Sequence, residues 1–302
     1  MHAIAIVGGG NMGRTHAGAW SELGLGDRIR LICTPRPGST FPHAPSARFV
    51  TDLDDVLSDP AVDIISVCTP TPSHSDLAIR ALDAGKHVLL EKPIALTTDE
   101  AEEIAAAAAE SSGILMVAHV VRFFEGYQRV RTEAESGRLG VLRTARASRL
   151  SAAAAWASWL ADESRSGGTL VDFAIHDFDQ LNLFLGRPVA VTTVETGSPG
   201  RLETTVEYQG GGLGQVVTCA DMLAGSAFSS SLEVTGDAGT SSSRYPDAPQ
   251  QNPYARQAAY FLRCVDAGVQ PDYCRTESAI LALRVSVAAR ESLHSGRTVD
   301  VG

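Results

Sequence analysis

No apolar run in the 302 residues approaches the length of a membrane span, about 20 residues for a helix crossing the hydrocarbon core. The N-terminus enters an apolar strand at once, with no basic leader and no cleavage-type region, so the expectation is a cytoplasmic chain without a membrane partner. Positive charge is outweighed. A formal net charge of −10 repels phosphate backbones and anionic lipid, which argues against nucleic acid as a partner. Cysteine is sparse as well. Cys33, Cys68, Cys219, Cys264 and Cys274 are odd in number and lack close pairing, and they read as reduced, mostly buried thiols. No His, Cys and carboxylate grouping has metal-ligand spacing, so no metal is expected. No internal repeat shows.

What is present is an ordinary globular composition, 44% hydrophobic and 20% charged, in a chain longer than one core usually holds. Two domains are expected, over 1–118 and 119–302. The first third alternates Val/Ile/Leu-rich strands (3–7, 28–33, 63–68, 87–90, 114–118) with helical patterns, clearest at 11–23, 73–84 and 98–111. That alternation builds a parallel sheet covered on both faces, a Rossmann-type α/β domain. Beyond 118 come a helix over 128–136, a strand over 141–148 and a strong helix over 169–185 that stops at Gly186. Strands without intervening helices follow (189–195, 202–208, 214–219, 230–235), then a polar loop over 240–251 and helices over 253–267 and 277–295. This second unit reads as α+β with an open, largely antiparallel sheet.

Gly8-Gly9-Gly10-Asn11-Met12-Gly13 has the G-x-G-x-x-G form between a strand and a helix. Gly8 permits a tight turn, Gly10 lets the backbone approach a pyrophosphate, and Gly13 allows close helix–strand packing. Asn11 and Met12 then lie on the first helical turn, where free N–H groups and the helix dipole favour an anion. The strand context lifts the match above a tight turn that serves packing alone. The second strand should end on an acid in an NAD site, but it runs into Thr34-Pro35-Arg36-Pro37-Gly38-Ser39-Thr40. Arg36 with Ser39 and Thr40 suits a 2′-phosphate and favours NADP over NAD. The plain alternative is an exposed loop arginine.

Four motifs carry a resemblance. They are the glycine loop through Arg14-Thr15-His16-Ala17, then Cys68-Thr69-Pro70-Thr71-Pro72-Ser73-His74, then Gly85-Lys86-His87-Val88-Leu89-Leu90-Glu91-Lys92-Pro93, and Gly167-Gly168-Thr169-Leu170-Val171-Asp172-Phe173-Ala174-Ile175-His176-Asp177-Phe178-Asp179. In that order the chain resembles the Gfo/Idh/MocA family of sugar and cyclitol oxidoreductases over almost its whole length. The resemblance implies a nicotinamide cofactor held by Gly8, Gly10, Asn11, Met12, Gly13, Thr34, Arg36, Thr69, Pro70, His74, Glu91 and Lys92. It also implies a polyol or keto-sugar substrate and a homodimer or homotetramer built on the open sheet face. Thr34 departs from the acid common in NAD users, and the second domain is short.

Lys92 lies at the C-terminal edge of a parallel strand, where ligands of such sheets bind, and Pro93 restricts its backbone. By the resemblance it contacts cofactor and substrate oxygen, where an ammonium would stabilise a developing alkoxide. Its bland reading is a surface lysine beside a turn. Asp172 and His176, four apart on one expected helix, would share a face. His176 is then the candidate base for a substrate hydroxyl, and Asp172 either steadies its charge or binds a neighbouring substrate hydroxyl. Thr169-Leu170-Val171-Asp172 also reads as a capping box, which would make Asp172 structural. Asp179 either orients His176 or binds substrate; Arg122 either reaches a substrate hydroxyl or forms an interdomain salt bridge. His16 and His119 read as structural, and Trp156 and Trp159 as aromatic packing or a cover over a sugar face. Besides a dehydrogenase, two functions stay open: a glycoside hydrolase that regenerates NAD within its cycle, and a non-catalytic dinucleotide sensor.

Overall fold

The computed structural model describes residues 2–36, 40–153, 158–197, 200–246 and 251–302. Ser39 and Trp156 lie outside the described residues. Contacts divide the chain into two units, residues 1–120 with 251–279, and residues 121–250 with 280–302. Among the described residues no helix is long and apolar enough to cross a membrane.

In the first unit, β1 (Ile4–Val7), β2 (Ile29–Cys33), β3 (Arg48–Val50), β4 (Ile64–Val67), β5 (His87–Glu91) and β6 (Leu115–Ala118) form one sheet in the order β3-β2-β1-β4-β5-β6. Every pairing is parallel. β1, β4 and β6 are buried along their whole length, which is why they read as unbroken apolar runs. Helices α1 (Asn11–Glu22), α2 (Asp54–Leu57), α3 (His74–Asp83) and α4 (Thr98–Glu110) connect the strands. α1 is pinned to the sheet by Trp20, whose indole N–H donates to Ser66 Oγ on β4 at 3.0 Å. α4 starts with a reciprocal cap: Thr97 Oγ1 accepts from the Glu100 amide, and the Glu100 carboxylate accepts from the Thr97 amide. The chain leaves β1 for β2 on one side and returns at β4 on the other. The crevice at that reversal is where such sheets take ligands.

In the second unit, β7 (Leu142–Ala152), β8 (Pro188–Glu195), β9 (Arg201–Tyr208), β10 (Leu213–Met222), β11 (Ser229–Gly236), β12 (Gly239–Tyr245) and β13 (Val299–Asp300) form a sheet in the order β12-β11-β7-β10-β9-β8-β13. Only β7 and β10 run parallel. Helices α5 (Glu125–Glu135), α6 (Glu163–Ser166) and α7 (Ile175–Leu185) belong here, and α5 and α7 pack on the strands. Alternate residues such as Ala145, Ala147, Val206, Val216, Leu232 and Val234 are buried. Their neighbours Arg146, Gln215, Glu233 and Ser242 lie on the opposite, polar face.

Several expectations are corrected. The polar loop expected over 240–251 begins as strand β12, because each residue pairs with β11 and the Thr235 and Thr240 hydroxyls meet at 2.9 Å. A serine-rich strand has a weak local signature, and pairing overrides it. β3 and α2 are too short to have shown a period, and α5 begins three residues earlier than the expected start at 128. Two helices precede β13. α8 (Pro253–Ala267) opens on an Asn252 cap with Pro253 at its first position and ends at Gly268 (φ 66°). It packs on α1, so a segment the sequence assigned to the second domain belongs with the first unit. Its buried Ala255, Ala258, Phe261 and Val265 recur at helical spacing, which names an apolar face but not the surface it covers. α9 (Thr276–Ser295) runs from the first unit into the second.

Candidate active site

The glycine loop sits between β1 and α1. Gly8 has φ 118°, and a Cβ on it would lie 2.5 Å from the Cys68 carbonyl oxygen. A Cβ on Gly13 would lie 2.0 Å from the Gly8 carbonyl, so helix and strand approach only because that atom is missing. Gly10 has nothing within 4 Å of its Cβ position. It caps α1 without any side-chain hydrogen bond, and the first turn holds no acid. Open space at Gly10 and a first turn free of carboxylates fit a pyrophosphate, with exposed Asn11 and half-buried Met12 beside it. Gly9, to which the sequence attached no role, is required too: its Cβ would lie 2.6 Å from Thr34 Oγ1.

Thr34 is buried at the end of β2, and its hydroxyl accepts from the Arg36 amide at 3.4 Å. It shapes the loop, and Arg36 stands exposed beyond it. A second guanidinium reaches the same loop, one that the sequence reading passed over although it lies within the first motif. Arg14 Nε donates to the Thr40 carbonyl at 3.4 Å, with the guanidinium 5.3 Å from the Phe41 ring centroid.

β5 ends in the second cluster. Lys92 is half-buried, and the Lys92–Pro93 peptide is cis. Glu91 is 5% exposed; its Oε1 meets His16 Nε2 at 2.8 Å and its Oε2 accepts from the Lys92 amide at 3.1 Å. Burial works against an imidazolium at His16, yet Cys68 and Glu91 facing it together push its pKa up to about 10. Glu91 is held below the usual carboxylate range: burial opposes this, and His16 and Lys92 outweigh it. His74, expected beside a nicotinamide, is 1% exposed, with Nδ1 2.8 Å from the Pro93 carbonyl and Nε2 3.0 Å from the Thr69 carbonyl. Burial lowers its pKa, and a neutral ring donates to one of the two carbonyls. His74 therefore braces the Thr69–Pro70 turn against the residues around Lys92. Thr69 is half-buried and Pro70 exposed at that turn, and the Thr69 hydroxyl accepts from Ser73 Oγ at 2.8 Å.

In the second unit, Asp172 and His176 do not share one α-helix. Residues Thr169–Phe173 form a π-helical turn, closed by the Ala174 amide on the Thr169 carbonyl at 2.9 Å, and α7 starts only at Ile175. The wider turn carries each residue through less rotation, and four residues across the turn and the start of α7 still come close to one full turn. The expected capping box fails as well: Gly168, not Thr169, caps the turn, without a side-chain bond. Asp172 is half-buried and His176 is 8% exposed.

Arg122 and Asp179, both candidates for substrate contact, hold each other. Arg122 Nε donates to Asp179 Oδ2 at 2.8 Å, Nη2 donates to Oδ1, and both residues are buried. Arg122 therefore forms an ion pair, but not the interdomain one expected, because both partners lie in the second unit. A parallel fork, absent from the sequence reading, joins Arg149 on β7 to Asp177 on α7 with two bonds of 2.9 Å. Its guanidinium lies 5.7 Å from the Phe173 and Phe228 rings. Trp159 is half-buried in the short helix Ser158–Ala161.

Two models of one family match the chain. An oxidoreductase family with an NAD-binding Rossmann fold covers residues 2–119, and the C-terminal domain of the same family covers residues 127–242. The chain belongs to the Gfo/Idh/MocA oxidoreductase family. Among family relatives, the NADP-dependent scyllo-inositol 2-dehydrogenase IolW of Bacillus subtilis is 30% identical over 68% of this chain and 57% of its own length. The NAD-dependent scyllo-inositol 2-dehydrogenase of the same organism is 24% identical over 98% of this chain and 95% of its own. A myo-inositol dehydrogenase structure from Corynebacterium glutamicum superposes with a TM-score of 0.84 at 23% identity, covering 100% of this chain and 99% of that one, which shows the shared fold.

Proposed function

We propose that this family member catalyses reversible hydride transfer between a nicotinamide dinucleotide and a carbinol or keto carbon of a sugar, cyclitol or related polyol. The observation that carries the reading is Lys92 at the C-terminal edge of β5, in the same sheet as a glycine loop whose open Gly10 fits a pyrophosphate. Scyllo-inositol dehydrogenases among the relatives support the substrate class.

The bound nicotinamide supplies or accepts the hydride. Lys92 directs its ammonium at the substrate oxygen and stabilises negative charge that develops there. In the oxidation direction His176 takes the hydroxyl proton, and Asp172 steadies the imidazolium or binds a neighbouring hydroxyl. Arg36, with Arg14 behind the same loop, favours NADP over NAD by meeting a 2′-phosphate. The polar outer face of the seven-stranded sheet is the surface for a homodimer or homotetramer.

A panel of sugars, inositols and keto-sugars, assayed with NAD(H) and NADP(H) separately, tests the proposal. Steady change in nicotinamide absorbance with one polyol is expected. Lys92→Ala and His176→Ala should each lower turnover at least about a hundredfold, the scale of losing a general acid or base. Glycoside cleavage without net nicotinamide change, or unaffected variants, would overturn it.

A further inference from the structure

The residues on either side of Lys92 are tied to different parts of the first unit. On one side, the Lys92 N–H donates to Glu91 Oε2 (3.1 Å), and the same carboxylate meets His16, on the second turn of α1, at 2.8 Å through Oε1. On the other, the Pro93 carbonyl meets His74 Nδ1 at 2.8 Å, at the start of α3. Both Glu91 oxygens thus carry a protein donor, and Glu91 and His16 are 5% and 2% exposed. A carboxylate on a flexible tether would rotate about its side-chain torsions. One held by a ring on a packed helix does not, so it presents its second oxygen to the amide at a fixed angle.

We infer that His16 and Glu91 act as a positioning pair for Lys92, holding its backbone amide from the dinucleotide-binding helix. Glu91 then works through Lys92 and is not a ligand of the cofactor. The inference rests on the hydride-transfer reading, in which Lys92 is the catalytic cation. It gives His16, which the sequence presented as a structural histidine, a task in the reaction. It also makes occupancy of the glycine loop and the placing of Lys92 depend on one helix.

The sequence supplies an unusual probe. The chain has only two lysines, Lys86 and Lys92, and Lys86 donates its ammonium to the Asp59 and Val62 carbonyls at 3.0 and 2.8 Å. Protein labelled with [15N]lysine, without cofactor, should therefore give two backbone amide cross-peaks, assigned by the loss of one in Lys92→Arg. In His16→Ala the Lys92 peak should move upfield and exchange faster with solvent, while the Lys86 peak stays. In His16→Gln, whose side-chain amide offers Glu91 a donor, it should return towards its original place. Turnover should follow the peak, falling about tenfold or more in His16→Ala with recovery in His16→Gln, since small misplacements of a reacting group have large kinetic cost.

Glu91→Gln serves if His16→Ala does not fold. It should lower kcat by a similar factor while the Kd for the dinucleotide changes less than about twofold, well under the scale of a lost ligand contact. A Kd that rises with kcat unchanged would make Glu91 a cofactor ligand and overturn the inference, as would an unmoved Lys92 peak in a folded His16→Ala. If Lys92→Ala keeps its turnover, the reading of Lys92 as the catalytic cation fails instead, and the cross-peaks still report the pair.

Discussion

In the first unit a buried ring and carboxylate, His16 with Glu91, stand beside the Lys92 amide, and in the second two buried guanidinium forks, Arg149 on Asp177 and Arg122 on Asp179, hold α7. A guanidinium remains charged throughout the working pH range and meets a carboxylate with two parallel bonds. The forks therefore tie α7, the helix that carries His176, wherever their carboxylates are ionised, and burial pushes the Asp177 carboxyl up. The His16 ring meets its carboxylate through one nitrogen and can give up its proton. The His16 pair is the adjustable one, and it lies against Lys92.

The largest expected effect tests the rigid side of that contrast. Arg149→Ala leaves the Asp177 carboxylate buried without its guanidinium, and should cost about 3–5 kcal/mol in equilibrium urea unfolding. A loss under about 1 kcal/mol, the range of an exposed pair, would show that the fork does not hold α7.

The adjustable side should show in pH. His16 is raised from 6.5 to about 10 on folding, so its contribution to stability is fully present below about 6.5. It should decline as pH rises and be gone above about 10. Glu91 is lowered on folding, so its share is present above about 4.5 and is lost as pH falls further. The stability difference between the parent chain and His16→Gln should thus be largest between about pH 4.5 and 6.5 and shrink toward pH 10. A difference independent of pH over that span would remove the contrast with Arg149. The smallest effect sets the scale without buried charge: Thr97→Ala at the α4 cap should cost about 1 kcal/mol by thermal or urea unfolding.

The parallel sheet, α1, α8 and the glycine loop were legible because each has a local cause: buried runs, helical spacing, caps, and a backbone that only glycine can adopt. Lys92 was legible for a related reason, since the strand before it ends at a known edge of such sheets. The single α-helix expected to carry Asp172 and His176 was misread: a π turn at Thr169–Phe173 precedes α7, and its wider winding leaves no mark in composition. Arg122 was open to two readings because a single chain position does not show whether its partner is a substrate or Asp179.

The sequence by itself determined the Rossmann unit, the family and the residue types that hydride chemistry needs, because those depend on neighbours a few positions apart. Tertiary structure decided which charges meet. His16 reaches Glu91 across 75 positions, Arg122 reaches Asp179 across 57, and the Gly9 backbone leaves room only for the Thr34 side chain. Such pairings follow from how strands and helices pack, and packing brings together residues whose separation along the chain carries no signal. The glycine loop marks where a dinucleotide fits. What the fold adds is a helix behind that loop whose histidine, through one carboxylate, reaches the amide of Lys92.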